Sequence, residues 1–347
     1  MTKLEARNPK SEKNPKLETR NRRVGVFMRS AGMRAVLALA LVVAIGCLFN
    51  ADGAFFRVGT HRDALRQASV YGMLACGMTL VIISGGIDLA VGSVVALVAV
   101  LFSLTVIHWG WSPWVAVPVC LAAGGACGGV SGVLVARFGL QPFIATLAMM
   151  VFARGMAKWA SGGEKIATAV KNADGSYRYV DVPHIFRLID SRVLGGNVSV
   201  VTLICLGCIA IGWVLLARHR WGRELYAIGG NEEAARLSGV PVRTAKGMAY
   251  VASGLLAGVA GLCQAAQEQQ GDPEAGMGYE LTAIAIVVIG GTSLMGGRGG
   301  MGLTLLGMLT IGYLDKILSV NAVPEAGRLM LTGGIIVVAV LAQTRKR

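Results

Sequence analysis

The sequence predicts an all-α protein that crosses a membrane about ten times, with both ends on the cytoplasmic side. Three observations carry this. Of 347 residues, 54% are hydrophobic and only 15% charged, with a mean hydropathy of +0.61, which is not the composition of an ordinary soluble domain. The apolar residues fall in long runs of roughly 15 to 23 residues, the longer of them enough to cross a hydrocarbon core as helix. The basic residues are segregated, gathering at the two ends and in alternate connections between the runs.

The elements follow in order. Residues 1–34 hold ten basic residues, Lys3 to Arg34, against Glu5, Glu12 and Glu18, so half of the +14 net charge lies here. Poor in aromatic and β-branched residues, this stretch reads as a disordered cytoplasmic tail. No stacking residues are interleaved with the basic ones, which argues against nucleic-acid binding. The run Ala35–Phe49 has too long a leader and too poor a cleavage site for a signal peptide, and reads as a retained anchor.

The predicted spans are 35–49, 69–84, 89–107, 114–136, 143–160, 198–217, 246–267, 281–295, 301–315 and 326–343. Together they make a membrane domain over 35–343, with a cytoplasmic loop at 218–245, an outer loop at 161–197 and a basic cytoplasmic tail at 344–347. Arg218, Arg220, Arg223, Arg236, Arg243, Lys246 and the Arg345–Arg347 tail then fall inside, as positive-inside placement requires. Arg57, Arg62 and Arg66 fall outside with only Asp52 and Asp63 to balance them, the one discordant piece.

All seven cysteines lie inside apolar runs, including the Cys205-x-x-Cys208 pair, and read as packing residues. His108 with Trp109, and His219 with Trp221, sit at opposite boundaries and read as interface anchors. Gly124, Gly125, Gly128, Gly129 and Gly132, like Gly254, Gly258 and Gly261, recur at the spacing that lets membrane helices approach closely.

The stretch Trp221–Pro241 is the long polar connection with dense helix punctuation. Asn231 is an N-cap, Glu232 and Glu233 suit a helix's positive end, Arg236 suits its last turn, Gly239 suits a left-handed residue, and Pro241 prevents continuation. The expected helix, of about two turns or 12 Å, is too short to span a membrane and marginal alone in water. It is either a linker on the membrane surface or a docking knob for a soluble partner.

Two glycine-rich breaks share its side of the membrane. In Gly85–Ser93, Asp88 is the one carboxylate between Asp63 and Glu164. It reads as the cap of a helix starting at Leu89 near the inner interface, with ion coupling as the functional alternative. In Gly290–Gly300, six glycines fall within eleven residues. A phosphate-binding reading fails, because no G-x-x-x-x-G-K-[ST] pattern occurs. No catalytic triad, paired carboxylates or metal-ligand cluster converges, which points away from an enzyme and from bound metal. Polar groups that could face a passage are scattered: Ser84, Ser93, Thr146, Thr292 and Ser293.

Four blocks resemble one family. Gly85–Ser93 (GGIDLAVGS), Gln141–Leu147 (QPFIATL), Gly222–Val240 (GRELYAIGGNEEAARLSGV) and Tyr279–Gly300 (YELTAIAIVVIGGTSLMGGRGG) are similar, in order and spacing, to ABC transporter permeases of the ribose/xylose/galactose type. The resemblance runs from about residue 35 to the C-terminus. It implies a multi-pass subunit of the bacterial inner membrane that imports a sugar delivered by a periplasmic binding protein. It implies pairing with a like subunit, and a separate cytoplasmic ATPase that holds the ATP and magnesium, with no cofactor on this chain. By the same resemblance, Asn231, Glu232, Glu233, Ala234, Ala235, Arg236, Leu237 and Gly239 form the ATPase-docking segment. Gly85, Gly86, Asp88, Ser93, Thr146, Thr292 and Ser293 are the expected passage or gating residues. The halves 69–160 and 246–343 are implied to form an inverted repeat. A branched-chain amino acid permease, from a sister family, is the nearest other substrate reading; an ion-coupled transporter acting alone is the nearest other mechanism.

Overall fold

The computed structural model describes residues 31–171 and 176–344, so the N-terminal tail up to residue 30 and residues 345–347 lie outside it. Each predicted span corresponds to a helix. These are α1 (Ala31–Leu48), α2 (Val58–Ile83), α3 (Val91–Ser103, prolonged by a π turn at Leu104–His108), α4 (Pro113–Ala136) and α5 (Pro142–Ser161). They continue as α7 (Val200–Arg218), α10 (Val242–Glu268), α11 (Tyr279–Gly290), α12 (Met301–Val320) and α13 (Glu325–Thr344). Eight of them are long and apolar enough to cross a membrane; α11 and α13 are not among the eight.

Two boundaries differ from expectation for clear reasons. Helix α2 begins at Val58, since the polar residues His61–Arg66 add helical turns beyond the apolar run. Helix α11 stops at Gly290, because Gly291 takes a left-handed conformation with φ of 105°. At 12 residues, α11 is about 18 Å long, well short of a hydrocarbon core.

The core is formed by α2, α3 and α10, whose side chains are largely buried, while α1, α4, α5 and α7 present one apolar face outward. Trp114, Val151, Phe152, Ile211 and Trp213 are among the exposed residues on those faces, as lipid contact requires. Helix α10 packs along α4, α2 and α3. The glycine stripes are where α4 and α10 meet. A β-carbon on Gly124 would lie 2.6 Å from the Gly254 carbonyl oxygen, and one on Gly132 would lie 2.8 Å from that of Gly247.

The long loop after α5 carries two short antiparallel hairpins, β1 (Ala169–Lys171) with β2 (Tyr177–Tyr179) and β3 (Arg192–Val193) with β4 (Val198–Ser199), around the short helix α6 (His184–Ile189). Asp190 there pairs with Arg66, and Arg192 with Asp63 at 2.7 Å. The discordant arginine Arg66 is thus matched by a carboxylate of this loop. The cysteines are free, and five of the seven are buried; Cys47 is exposed and Cys208 half-buried.

Candidate functional site

The polar stretch after α7 forms two helices, α8 (Arg220–Gly230) and α9 (Glu232–Leu237). The expectation of one short helix missed α8, whose apolar residues Trp221, Leu225 and Ile228 recur at helical spacing and are buried. Trp221 is a packing residue and not an interface anchor: its indole N–H donates to the Ala245 carbonyl at 3.0 Å and the side chain is buried. Tyr226 donates its hydroxyl to the Gly299 carbonyl at 2.9 Å, tying α8 to the second glycine-rich break.

Helix α9 is built as its punctuation requires. Asn231 Oδ1 accepts from the Ala234 N–H at 3.0 Å, Glu232 and Glu233 occupy the first turn, and Gly239 is left-handed with φ of 80°. Its six residues make about 9 Å, shorter than expected. Arg236 donates to Glu233 at 2.7 Å, and the buried Lys246 of α10 donates to Glu232 at 2.9 Å. Ala235 alone turns inward; Asn231, Glu232, Glu233, Ala234, Arg236, Leu237 and Gly239 are exposed. Leu237 is 79% exposed, an apolar residue on a charged knob. Glu233 draws the Arg236 guanidinium pKa up through its hydrogen bond and its charge.

Beneath α8 the two glycine-rich breaks meet. The Gly297 N–H donates to the Ile83 carbonyl at 3.0 Å, closing the end of α2 onto the second break. Gly229 of α8 packs on that same carbonyl and on the Gly297 N–H. A β-carbon on Gly296 would stand 3.0 Å from Gly229 and 3.2 Å from Gly85. Three stretches far apart in sequence therefore touch backbone to backbone at Gly229, Gly296 and Gly297, with the Tyr226 hydroxyl as a further tie, so a displacement of α8 bears on both breaks.

The connection 84–90 does not stay at the membrane boundary; it climbs back into the bundle. Asp88 is fully buried, accepting from the Ser253 hydroxyl at 2.7 Å and the Ala90 N–H at 3.0 Å. Ser253 stands 11 residues along α10, about 16 Å from that helix's N-terminal end. Asp88 is thus deep in the protein, and α3 starts at Val91 rather than Leu89. A carboxylate this deep is tolerable because both oxygens are hydrogen-bonded.

The connection 269–278 mirrors it from the opposite side. Gly271 packs against Ala99 and Ser103, and five residues later Gly276 packs on Gly92, in the first turn of α3. The backbone thus descends by about 13 Å along α3 without forming helix. Its carbonyls are met from α5: Arg154 Nη1 donates to Pro273 O at 2.6 Å and to Ala275 O at 2.7 Å. The start of α3 and the start of α11 therefore face one another inside the bundle. Arg154 carried no sequence signal beyond being a charge within an apolar run.

The scattered hydroxyls do not converge. Ser84 and Thr146 donate to carbonyls of their own helices, at 2.8 and 2.9 Å, with a weaker Thr146 contact to Ile87 O at 3.4 Å. Ser93 is buried near the start of α3, while Thr292 and Ser293 lie in the other break. No cluster of three metal-ligating side chains occurs among the described residues.

Comparison with known proteins agrees with this architecture. Residues 62–340 match the family described as branched-chain amino acid transport system / permease component. The ribose import permease protein RbsC of Haemophilus influenzae is 38% identical over 94% of this chain and 97% of its own length. RbsC of Bacillus subtilis is 35% identical over 96% of this chain and 99% of its own. The fructose import permease protein FrcC of Rhizobium meliloti is 34% identical over 88% and 82%. No solved structure matches. Likeness of this extent, with the α8–α9 knob and both glycine-rich breaks inside the matched region, places the chain in the branched-chain amino acid transport system / permease component family.

Proposed function

We propose that this chain is the membrane permease subunit of an ATP-driven importer that passes a monosaccharide of the ribose, xylose or galactose class. The observation that carries the mechanism is the seating of α8 on Ile83, Gly296 and Gly297, with Gly296 in turn against Gly85. A force applied to the exposed α9 reaches both breaks through close backbone contacts at Gly229, Gly296 and Gly297. In this reading a separate cytoplasmic ATPase binds α9 and supplies the force, and ATP with its magnesium belongs to that subunit. A periplasmic binding protein delivers the sugar, and two like permease subunits pair in the bacterial inner membrane. The names of the relatives support a sugar as cargo.

The topology belongs to the same proposal: ten membrane segments, both termini cytoplasmic, and halves 69–160 and 246–343 in opposite senses. What supports the inverted repeat is the pair of re-entrant connections, 84–90 leading into α3 and 269–278 leading into α11, which enter from opposite sides and meet at Gly92 and Gly276. Extraction of the tagged chain in mild detergent is the test. An ATPase subunit that copurifies, together with ATP-dependent uptake of ribose but not leucine into vesicles loaded with binding protein, is the expected result. A lone chain that transports in sealed vesicles without ATP would overturn it in favour of ion coupling.

A further inference from the structure

The connection 269–278 is non-helical backbone at membrane depth, which is tolerated only where protein or water satisfies its polar groups. In this chain one face of α5 does so. Arg154 donates twice, to the Pro273 and Ala275 carbonyls. One turn further out, Lys158 pairs with Glu274 at 2.6 Å, and beyond the helix end Lys165 pairs with Asp272 at 2.9 Å. Three cations in a row thus grip four consecutive residues. The grip is graded. The Lys158 and Lys165 pairs are solvent-exposed and weak singly, whereas Arg154 is half-buried among the carboxylates of Asp272, Glu274 and Glu280.

What the gripped segment closes is visible at its inner end. Gly276 lies against Gly92 and the Glu280 carboxylate stands beside them, so the segment plugs the gap between the starts of α3 and α11 from the outer side. Helix α5 packs one face on α3 and turns the other outward, with Val151 and Phe152 exposed, and so provides a wall against which a segment can be held or released.

We propose that Arg154 is a positioning residue for transport: it holds residues 272–275 against α5 as the outer closure, and solute enters when this grip is let go. The proposal rests on the topology above, which places this segment on the outer side, and on the passage of solute through the bundle.

The test is labelling of an introduced cysteine, Ala275→Cys, by a membrane-impermeant maleimide, on intact spheroplasts carrying the full chain with exposed Cys47 and half-buried Cys208 replaced by serine, the five other cysteines being buried. The expected result is slow labelling in the parent and labelling about tenfold faster in Arg154→Gln, a shift of the closed population of that order. Arg154→Lys, which can meet one carbonyl, falls between. Lys158→Glu speeds labelling, and adding Glu274→Lys slows it again, which a misfolded chain could not do. Equal rates in the parent and Arg154→Gln, with the chain present in normal amount, overturn the proposal. The labelling needs neither ATPase nor a known solute, so its failure leaves the importer reading standing. Failure of ATP-driven uptake likewise leaves the labelling result standing.

Discussion

The carbonyl of Ile83, at the end of α2, occupies the space that a side chain on Gly229 of α8 would need. It is already bonded there by the Gly297 N–H, so it cannot turn aside without breaking the junction of the two breaks. Replacing Gly229 by alanine must push α8 off its seat. The expected outcome is uptake lowered by about tenfold or more, with the chain still inserted and the ATPase still copurifying, since α9 remains exposed. Measured side by side, uptake and copurification separate transmission from docking.

Docking itself is tested on α9. Glu233 and Arg236 are exposed and paired with each other, and a solvent-screened pair of this kind contributes little to folding. Glu233→Lys and Arg236→Glu are therefore expected to leave the amount of chain in the membrane unchanged while abolishing ATPase retention and uptake. The double reversal restores the internal pair but not the pattern a partner reads, and stays inactive. Normal uptake in either single variant removes α9 as the docking element.

The acid response of the outer closure follows from Asp272. Burial pushes its carboxyl up, but hydrogen bonds from Lys165 and the Glu274 N–H, with the charges of Lys165 and Arg154, outweigh that and hold it below the ordinary range. A depressed folded-state value means stabilisation that is complete above the unfolded value of about 3.9 and lost as pH falls through the folded one. Labelling of Ala275→Cys, corrected for thiolate fraction, is expected to be flat from about pH 5 to 8 and to rise only in stronger acid. A step near pH 6 places control with another group.

Much of this architecture was legible because membrane segments are written in composition. The eight helices long and apolar enough to cross a membrane, and the punctuation of α9, Asn231 to Gly239, follow from hydropathy, capping and charge. The meeting of α4 and α10 follows from their glycine spacing. What could not be read was depth. Asp88 and Pro273 look like residues of ordinary connections, because sequence shows where helix stops but not that the chain turns back into the bundle. Arg154 was hidden for the same reason, its partners being carbonyls, which any sequence supplies. Helix α8 was missed because its buried side, Trp221, Leu225 and Ile228, lies within a polar stretch too short to register as a span.

Asp88 separates the importer from an ion-coupled carrier. Its two oxygens are used, one by Ser253 and one by the Ala90 N–H, which makes it a strut between α10 and the start of α3. Asp88→Ala leaves the Ser253 hydroxyl and the Ala90 N–H unmet in a buried site, at a cost of about 1–3 kcal/mol each. Asp88→Asn keeps the shape and can still accept one of these bonds, so it is the milder change. The expected order of heat stability in detergent is parent, then Asp88→Asn, then Asp88→Ala, with uptake by Asp88→Asn reduced in amount but unchanged in its pH profile. A coupling carboxylate would behave otherwise: its amide would remove the pH dependence altogether while leaving the fold intact. The pH profile of the asparagine variant, set against its heat stability, therefore decides whether this carboxylate holds the fold or drives transport.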